Sequence, residues 1–278
     1  MTLDLTFDST SRYVSLPSGK VHYNQAGEGP PVLLLHGSGP GATGWSNFGP
    51  NIVELAERFT CYAVDMPGWG ESDTVAPDQR NHVQTALEFL DELGIDKAAF
   101  IGNSMGGATT IRFAVEHPER QSHLITMGAG AAGVKIFGAG DGPSEGLKIL
   151  QKGYRQPSME TMLELVDVMS YDSGDQREER ARVRLDSLLK HPDHVANFLA
   201  GVRNKRDFPA EEQVAGIRVP ALLIHGRDDR VVHYENSLRL VALIPDSRLL
   251  LLNRCGHWAQ VEHAEEFNRV VADFIENN

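Results

Sequence analysis

The sequence predicts an α/β protein in which a mostly parallel central sheet, flanked by helices, is interrupted by an inserted helical lid. Three observations carry this reading. Short apolar runs recur without polar alternation, as in strands buried on both faces. Segments with helical spacing separate those runs. The strand pattern then stops after Met127 and resumes only at Ala221.

Val32-Leu33-Leu34-Leu35 is the first such run and Tyr62-Ala63-Val64 the second. Val83, Ala86, Leu87, Leu90 and Leu93 follow with helical spacing, and Gly94 is placed to stop that helix. Ala98 to Ile101 reads as a buried strand, Gly107 to Phe113 as the helix after it, and Leu124 to Met127 as the next strand. From about Gly133 to Ala210 the character changes. The segment opens with the Gly-rich Phe137-Gly138-Ala139-Gly140-Asp141-Gly142-Pro143, then turns helical and heavily charged. Met162, Leu163, Leu165, Val166 and Met169 outline one amphipathic helix, and Val183, Leu185, Leu188 and Leu189 another. A third starts near Asp193, a good N-cap after Pro192, and buries Val195, Phe198 and Leu199. Strands resume at Ala221 to Ile224 and at Leu249 to Leu252, and Phe267, Val270, Val271 and Phe274 suggest a last helix. The expected organisation is a core of residues 1–132 and 211–278 with 133–210 as a lid over the carboxyl ends of the strands, where open α/β sheets bind ligands. A structural appendage is the competing reading of that segment.

Bulk properties narrow the function classes. At 278 residues the chain suits one large α/β domain, or a domain carrying an insertion. The net charge of −12 argues against a nucleic-acid partner and against adhesion to anionic membrane. It also means that an anionic ligand needs a local cation. Cys61 and Cys255 are too few for a disulfide framework and read as packing residues. The N-terminus carries no basic-then-apolar signal, and no apolar run approaches a membrane span, so a cytoplasmic enzyme is expected.

The chemistry centres on Gly102-Asn103-Ser104-Met105-Gly106, between the strand ending at Ile101 and the helix that follows. A serine on so sharp a strand-to-helix turn needs glycines beside it, and the turn lifts its hydroxyl clear of the sheet. A serine hydroxyl is a poor nucleophile until a base takes its proton, and that base needs an orienting acid. His257 follows the Leu249–Leu252 run, and Asp228 and Asp229 follow the Ala221–Ile224 run. Asp229 is the chosen acid, with Asp228 the structural alternative. His36 and His225 end strands and read as structural. A developing oxyanion needs donors. Met105 supplies one backbone N–H, and Ser38 is the best-placed second donor in His36-Gly37-Ser38-Gly39-Pro40-Gly41-Ala42. A phosphate loop is rejected there, because the Lys-Ser/Thr ending is missing and Pro40 removes an amide. Side chains and amides carry the expected chemistry, with no metal and no cofactor.

Three segments resemble one family, the meta-cleavage product hydrolases, α/β-hydrolases that hydrolyse a carbon–carbon bond in aromatic ring-fission products. His36 to Ala42 with Trp45-Ser46-Asn47 resembles its oxyanion loop, Gly102 to Gly107 its nucleophile elbow, and Cys255-Gly256-His257-Trp258-Ala259-Gln260 its histidine loop. The resemblance covers nearly the whole chain. It implies an α/β-hydrolase fold, a small-molecule substrate of the 2-hydroxy-6-oxohexa-2,4-dienoate type, and a homo-oligomer of two or more copies. It further implies a lid arginine for the substrate carboxylate. Arg184 occupies the matching position, with Arg180 and Arg182 close by, and a solvated helical face is the alternative for all three. Asn103, Trp258, Asn47 and Gly39 are the implied neighbours of the dienoate, with supporting roles equally open to Asn47 and Trp258. Met162, Val166, Met169 and Tyr171 suit either an apolar pocket for the ketone substituent or ordinary helix packing. A general serine esterase is the nearest rival, and a non-catalytic receptor a remote one. Readings with an aspartate nucleophile fail on Ser104.

Overall fold

The computed structural model describes residues 5–131, 136–138, 142–201 and 208–278. A short helix α1 (Phe7–Thr10) leads into the hairpin β1 (Ser11–Leu16) and β2 (Gly19–Ala26), followed by β3 (Pro31–Leu35), α2 (Gly44–Leu55) and β4 (Thr60–Val64). Then come α3 (His82–Glu92), β5 (Ala98–Asn103), α4 (Met105–Glu116) and β6 (Gln121–Met127). Four helices follow in sequence: α5 (Glu145–Arg155), α6 (Met159–Met169), α7 (Arg177–Lys190) and α8 (Pro192–Gly201). After α9 (Glu211–Ala215) the sheet resumes with β7 (Ala221–Gly226), α10 (Glu235–Leu243) and β8 (Ser247–Leu252), and α11 (Ala259–Glu262) and α12 (Ala264–Asn277) end the chain.

The eight strands form one sheet in the order β1-β2-β4-β3-β5-β6-β7-β8. Every pairing from β4 onward is parallel; only β1 with β2 and β2 with β4 are antiparallel. The continuous apolar runs have a simple cause. Val32 and Leu34 of β3 enter the core under α2 and α12, while Leu33 and Leu35 enter the opposite core with Phe89 and Phe113. Both faces of each central strand are covered, so these runs are largely apolar, and buried polar residues such as Asn103, Thr126 and His225 lie toward the carboxyl ends of their strands. Strand order reverses between β3 and β5, and that is where the loops after the two strands face each other.

The predicted strands and the helices at α3, α4, α6 and α12 are present, and Gly94 ends α3 with φ +64°. The β1–β2 hairpin has no counterpart in the predicted pattern, because β1 alternates in burial and lies at the sheet edge. Two helix readings need correction. On α7, Val183 and Leu189 are exposed, and the buried stripe is Ala181, Arg184 and Leu188. On α8, Pro192 itself is the first helical residue, where its missing N–H costs nothing, and Asp193 sits in the first turn instead of capping it. Val195, Phe198 and Leu199 are only partly buried. The segments 133–135, 139–141 and 202–207 of the expected lid lie outside the described residues.

The four helices after β6 bury Leu150, Tyr154, Met162, Leu165 and Val166 against one another, and join the core through Val231 and Trp258. Burying a side chain of that size contributes roughly 1.5–3 kcal/mol. No helix among the described residues is long and apolar enough to cross a membrane. Cys61 and Cys255 are both free and buried, and burial pushes the Cys61 thiol up to about 12. Neither is a ready nucleophile.

Candidate active site

β5 delivers the chain to Ser104 and α4 takes it away. Ser104 has φ +54° and ψ −110°, a region that residues with a β-carbon rarely adopt. The glycines around it are required by contact. A β-carbon on Gly102 would fall 2.3 Å from the Gly106 carbonyl oxygen, and one on Gly106 would fall 2.0 Å from that of Leu35. The Ser104 amide donates to Met127 O at 2.8 Å, which fixes the elbow to β6. Ser104 remains partly exposed, and the Met105 N–H, first in α4, has no partner within the helix.

Asp229 is held from four directions. Its Oδ1 accepts the backbone N–H groups of Val231 at 2.7 Å and Val232 at 2.9 Å. Its Oδ2 lies 2.7 Å from His257 Nδ1 and 3.2 Å from His225 Nε2. Burial alone would raise its pKa, but the two imidazoles outweigh burial and hold it well below the carboxylate range. His257 therefore carries its hydrogen on Nδ1 and turns Nε2 toward the cavity that Ser104 also lines. No hydrogen bond joins Ser104 Oγ to His257 among the described residues, a looseness common before substrate binds.

The loop after β3 faces the elbow. His36 Nδ1 donates to Gly37 O at 2.7 Å, and its Nε2 accepts the Met66 amide at 2.9 Å; burial keeps this ring's pKa low. Tyr154 of α5 donates to Ser38 O at 2.9 Å. The Ser38 peptide is thus gripped from both sides. Gly41, with φ +61°, lets Arg184 of α7 pass so close that a β-carbon would overlap its carbonyl oxygen at 1.9 Å.

Arg184 is buried, with 4% of its surface exposed. Its NH1 donates to Pro40 O at 3.1 Å, and its guanidinium lies 4.4 Å from the Trp258 ring centroid. Burial pulls its pKa down to about 10, which still leaves it charged at neutral pH. Among the described residues no carboxylate pairs with it. An unpaired buried cation is costly, and an anion in the cavity would offset that cost. Gly39, Asn47, Asn103, Leu150, Met169 and Trp258 line the same narrow cavity as Ser104, His257 and Arg184. Asn103 spends its amide hydrogens on Met127 O and His257 O, both at 3.2 Å, and leaves Oδ1 buried without a partner. Asn47 donates to Thr43 O at 3.1 Å.

The expectations for the substituent pocket divide. Met169 reaches the cavity; Met162 and Val166 pack within the helical layer, and Tyr171 is half exposed. A wider cavity of about 370 Å³ adjoins Asp229, lined by Gly130, Leu147, Val232 and His233 among others. Leu147 and Leu150, one turn apart on α5, face the wide and the narrow cavity respectively. Asp228, the alternative acid, pairs with Arg227 at 3.8 Å, while His257 bonds to Asp229.

Two contributors escaped the sequence. His225 reads there as a strand-ending histidine, yet it touches the Asp229 carboxylate. Glu262 accepts from Gly256 N at 2.7 Å and from Tyr171 N at 2.7 Å, tying the His257 loop to the chain just after α6. Burial raises its pKa. The only available signal was spacing, since Glu262 lies on the turn of helix that follows His257.

Residues 32–270 match the model of the alpha/beta hydrolase family. A 2-hydroxy-6-oxononadienedioate/2-hydroxy-6-oxononatrienedioate hydrolase of Pseudomonas putida is 41% identical over 288 residues, covering 100% of both chains. A 2-hydroxy-6-oxo-6-phenylhexa-2,4-dienoate hydrolase of Comamonas testosteroni is 38% identical, covering 98% of each. A solved meta-cleavage product hydrolase of Pseudomonas fluorescens superposes with TM-score 0.84 at 32% identity, over 95% of this chain and 97% of that one.

Proposed function

Since the chain belongs to the alpha/beta hydrolase family and, within it, to the meta-cleavage product hydrolases, enzymes of carbon–carbon bond hydrolysis, we propose that it cleaves a 2-hydroxy-6-oxohexa-2,4-dienoate to 2-hydroxypenta-2,4-dienoate and a carboxylic acid. The observation that carries this reading is Arg184, a buried cation with no carboxylate partner among the described residues, in the cavity that Ser104 lines. A simple ester gives such a cation nothing to bind, whereas the dienoate carboxylate satisfies it.

The dienoate end lies against Arg184, Trp258, Gly39 and Asn47, and the unpartnered Asn103 Oδ1 accepts the enol O–H. A proton moves to the carbon beside the distal ketone, so that the departing fragment leaves as a stabilised carbanion equivalent. Ser104 Oγ adds to that ketone, its proton passing to His257 Nε2, while Asp229 stabilises the imidazolium. The Ser38 and Met105 N–H groups hold the oxyanion. The carbon–carbon bond breaks, the departing dienolate takes the proton from His257 and leaves as 2-hydroxypenta-2,4-dienoate, and water activated by the now neutral His257 frees the acid from Ser104. The ketone substituent extends toward the wider cavity beside Asp229. Residues 133–210 act as the lid, and the narrowness of the cavity at Ser104 supports opening before substrate enters. The protein works in the cytoplasm as an assembly of two or more copies, which light scattering checks.

The test is to mix the protein with a yellow ring-fission dienoate and follow loss of its visible absorbance. Brisk hydrolysis of simple aryl esters with no turnover of aryl- or alkyl-substituted dienoates would sink this reading in favour of a general esterase.

A further inference from the structure

Outside this site the fold assembles a second serine–histidine–aspartate relay. Ser11 opens β1, His22 lies on β2 and Asp65 follows β4; the antiparallel pairings of these strands bring the three together. His22 and Asp65 are completely buried, with Nδ1 2.8 Å from Oδ2. The carboxylate also accepts the Gly44 amide on Oδ1 at 2.6 Å and the Glu71 amide on Oδ2 at 3.0 Å. A carboxylate that takes backbone N–H groups on both oxygens is an acceptor throughout, so the ring hydrogen sits on Nδ1 and Nε2 offers its lone pair. That nitrogen lies 2.8 Å from Ser11 Oγ, which donates to it. Base and orienting acid therefore stand behind a hydroxyl, as nucleophilic activation requires.

Ser11 is only partly buried. The rings of Phe7 and Tyr13 flank the His22 imidazole at 5.3 and 5.0 Å, and Tyr13 is 49% exposed. An aromatic surface thus lies beside the activated hydroxyl.

We propose that Ser11 is a second nucleophile, an acylation site for activated aryl esters that works independently of Ser104. Ser11 Oγ bonds to the acyl carbon and its proton passes to His22 Nε2. The bond to the aryl oxygen breaks, and the aryloxide departs with that proton as a phenol. Ser11 begins a regular strand, so the helix-start amide that follows Ser104 has no equivalent here. The ester persists, giving one acyl group per chain without turnover.

The test uses Ser104→Ala protein, which lacks the other nucleophile, treated with p-nitrophenyl acetate. Phenol release, intact mass and peptide mass spectrometry are followed. The expected result is one equivalent released and one acetyl group, on Ser11, at a rate at least about tenfold lower when His22→Gln is added. Ser11 also labels at least about tenfold faster than Ser15, an exposed serine of the same strand, a comparison that needs no folded His22 variant. Acetylation spread over lysines and unchanged by Ser11→Ala overturns the proposal, as does equal labelling of Ser11 and Ser15. Ser11→Ala alone leaves dienoate turnover intact.

Discussion

The two relays use the same parts and differ in what surrounds them. Asp229 and Asp65 are both buried carboxylates pinned by backbone amides and an imidazole. At the first, the serine sits on a strained elbow at φ +54°, its hydroxyl is uncommitted, and a buried guanidinium waits in the same cavity. At the second, the serine lies in an ordinary strand and its hydroxyl is already bonded to the histidine at 2.8 Å. The difference teaches that a relay is an economical way to satisfy a buried carboxylate and does not by itself make an enzyme. Strain, helix-start amides and an unpaired charge do that. Removing each in turn tests the comparison.

The largest effect is expected at the nucleophile. Ser104→Ala should lower kcat for the dienoate by about 10³-fold or more, read as loss of absorbance decay. Undiminished turnover would transfer the chemistry away from Ser104. Next is Arg184→Leu, which should cut kcat/KM for the dienoate by about 100-fold, since truncating a buried charge contact costs about 2–5 kcal/mol. Hydrolysis of a neutral aryl ester should be little changed. Because the guanidinium is buried with no carboxylate partner among the described residues, the Tm should not fall. A fall in both activities together would mean that Arg184 merely supports the loop through Pro40 O.

In the second relay the matching deletion acts on stability. Asp65→Ala strands the amides of Gly44 and Glu71 and the His22 ring in the interior, and should cost about 2–3 kcal/mol in denaturant unfolding. Dienoate kinetics of the folded fraction should stay normal.

The same contrast explains what the sequence could reveal. Ser104, Asp229 and His257 sit in short loops directly after apolar runs, so each announces itself by position. Which of Arg180, Arg182 and Arg184 faces the cavity of Ser104 depends on helical phase, and Arg184 is the one on the buried stripe with Ala181 and Leu188. Val183 and Leu189 misled because an exposed leucine looks like a buried one in a helical pattern. The hairpin was illegible because its first strand is half polar. With it went the second relay, whose members are joined by strand pairing and by no spacing along the chain. His225 and Glu262 matter through contacts that cross the fold, and no local pattern encodes those.

His225 offers a finer break. His225→Leu should lower kcat about tenfold with KM unchanged, whereas His225→Gln, which keeps a donor near Asp229, should recover most of it. The sign in pH is also set. Asp229 has a folded pKa below its unfolded value, so its stabilisation is present above about pH 4 and is lost as the pH falls. Removing one donor raises the folded pKa. The stability difference between pH 7 and pH 3 should therefore be smaller in His225→Leu than in the parent, as read by urea unfolding at the two pH values.

The smallest expected effect sharpens the comparison most. Ser11 is itself only partly buried, so Ser11→Ala opens beside the buried His22 Nε2 a space that water can enter to replace the lost donor. The expected loss is below about 1 kcal/mol of unfolding free energy, the net worth of a typical hydrogen bond. A cost approaching that of Asp65→Ala would show that the serine is a structural member of the network, held for packing. A cost near zero, beside the tenfold preference in acylation, would show a hydroxyl that the fold activates without needing it for stability.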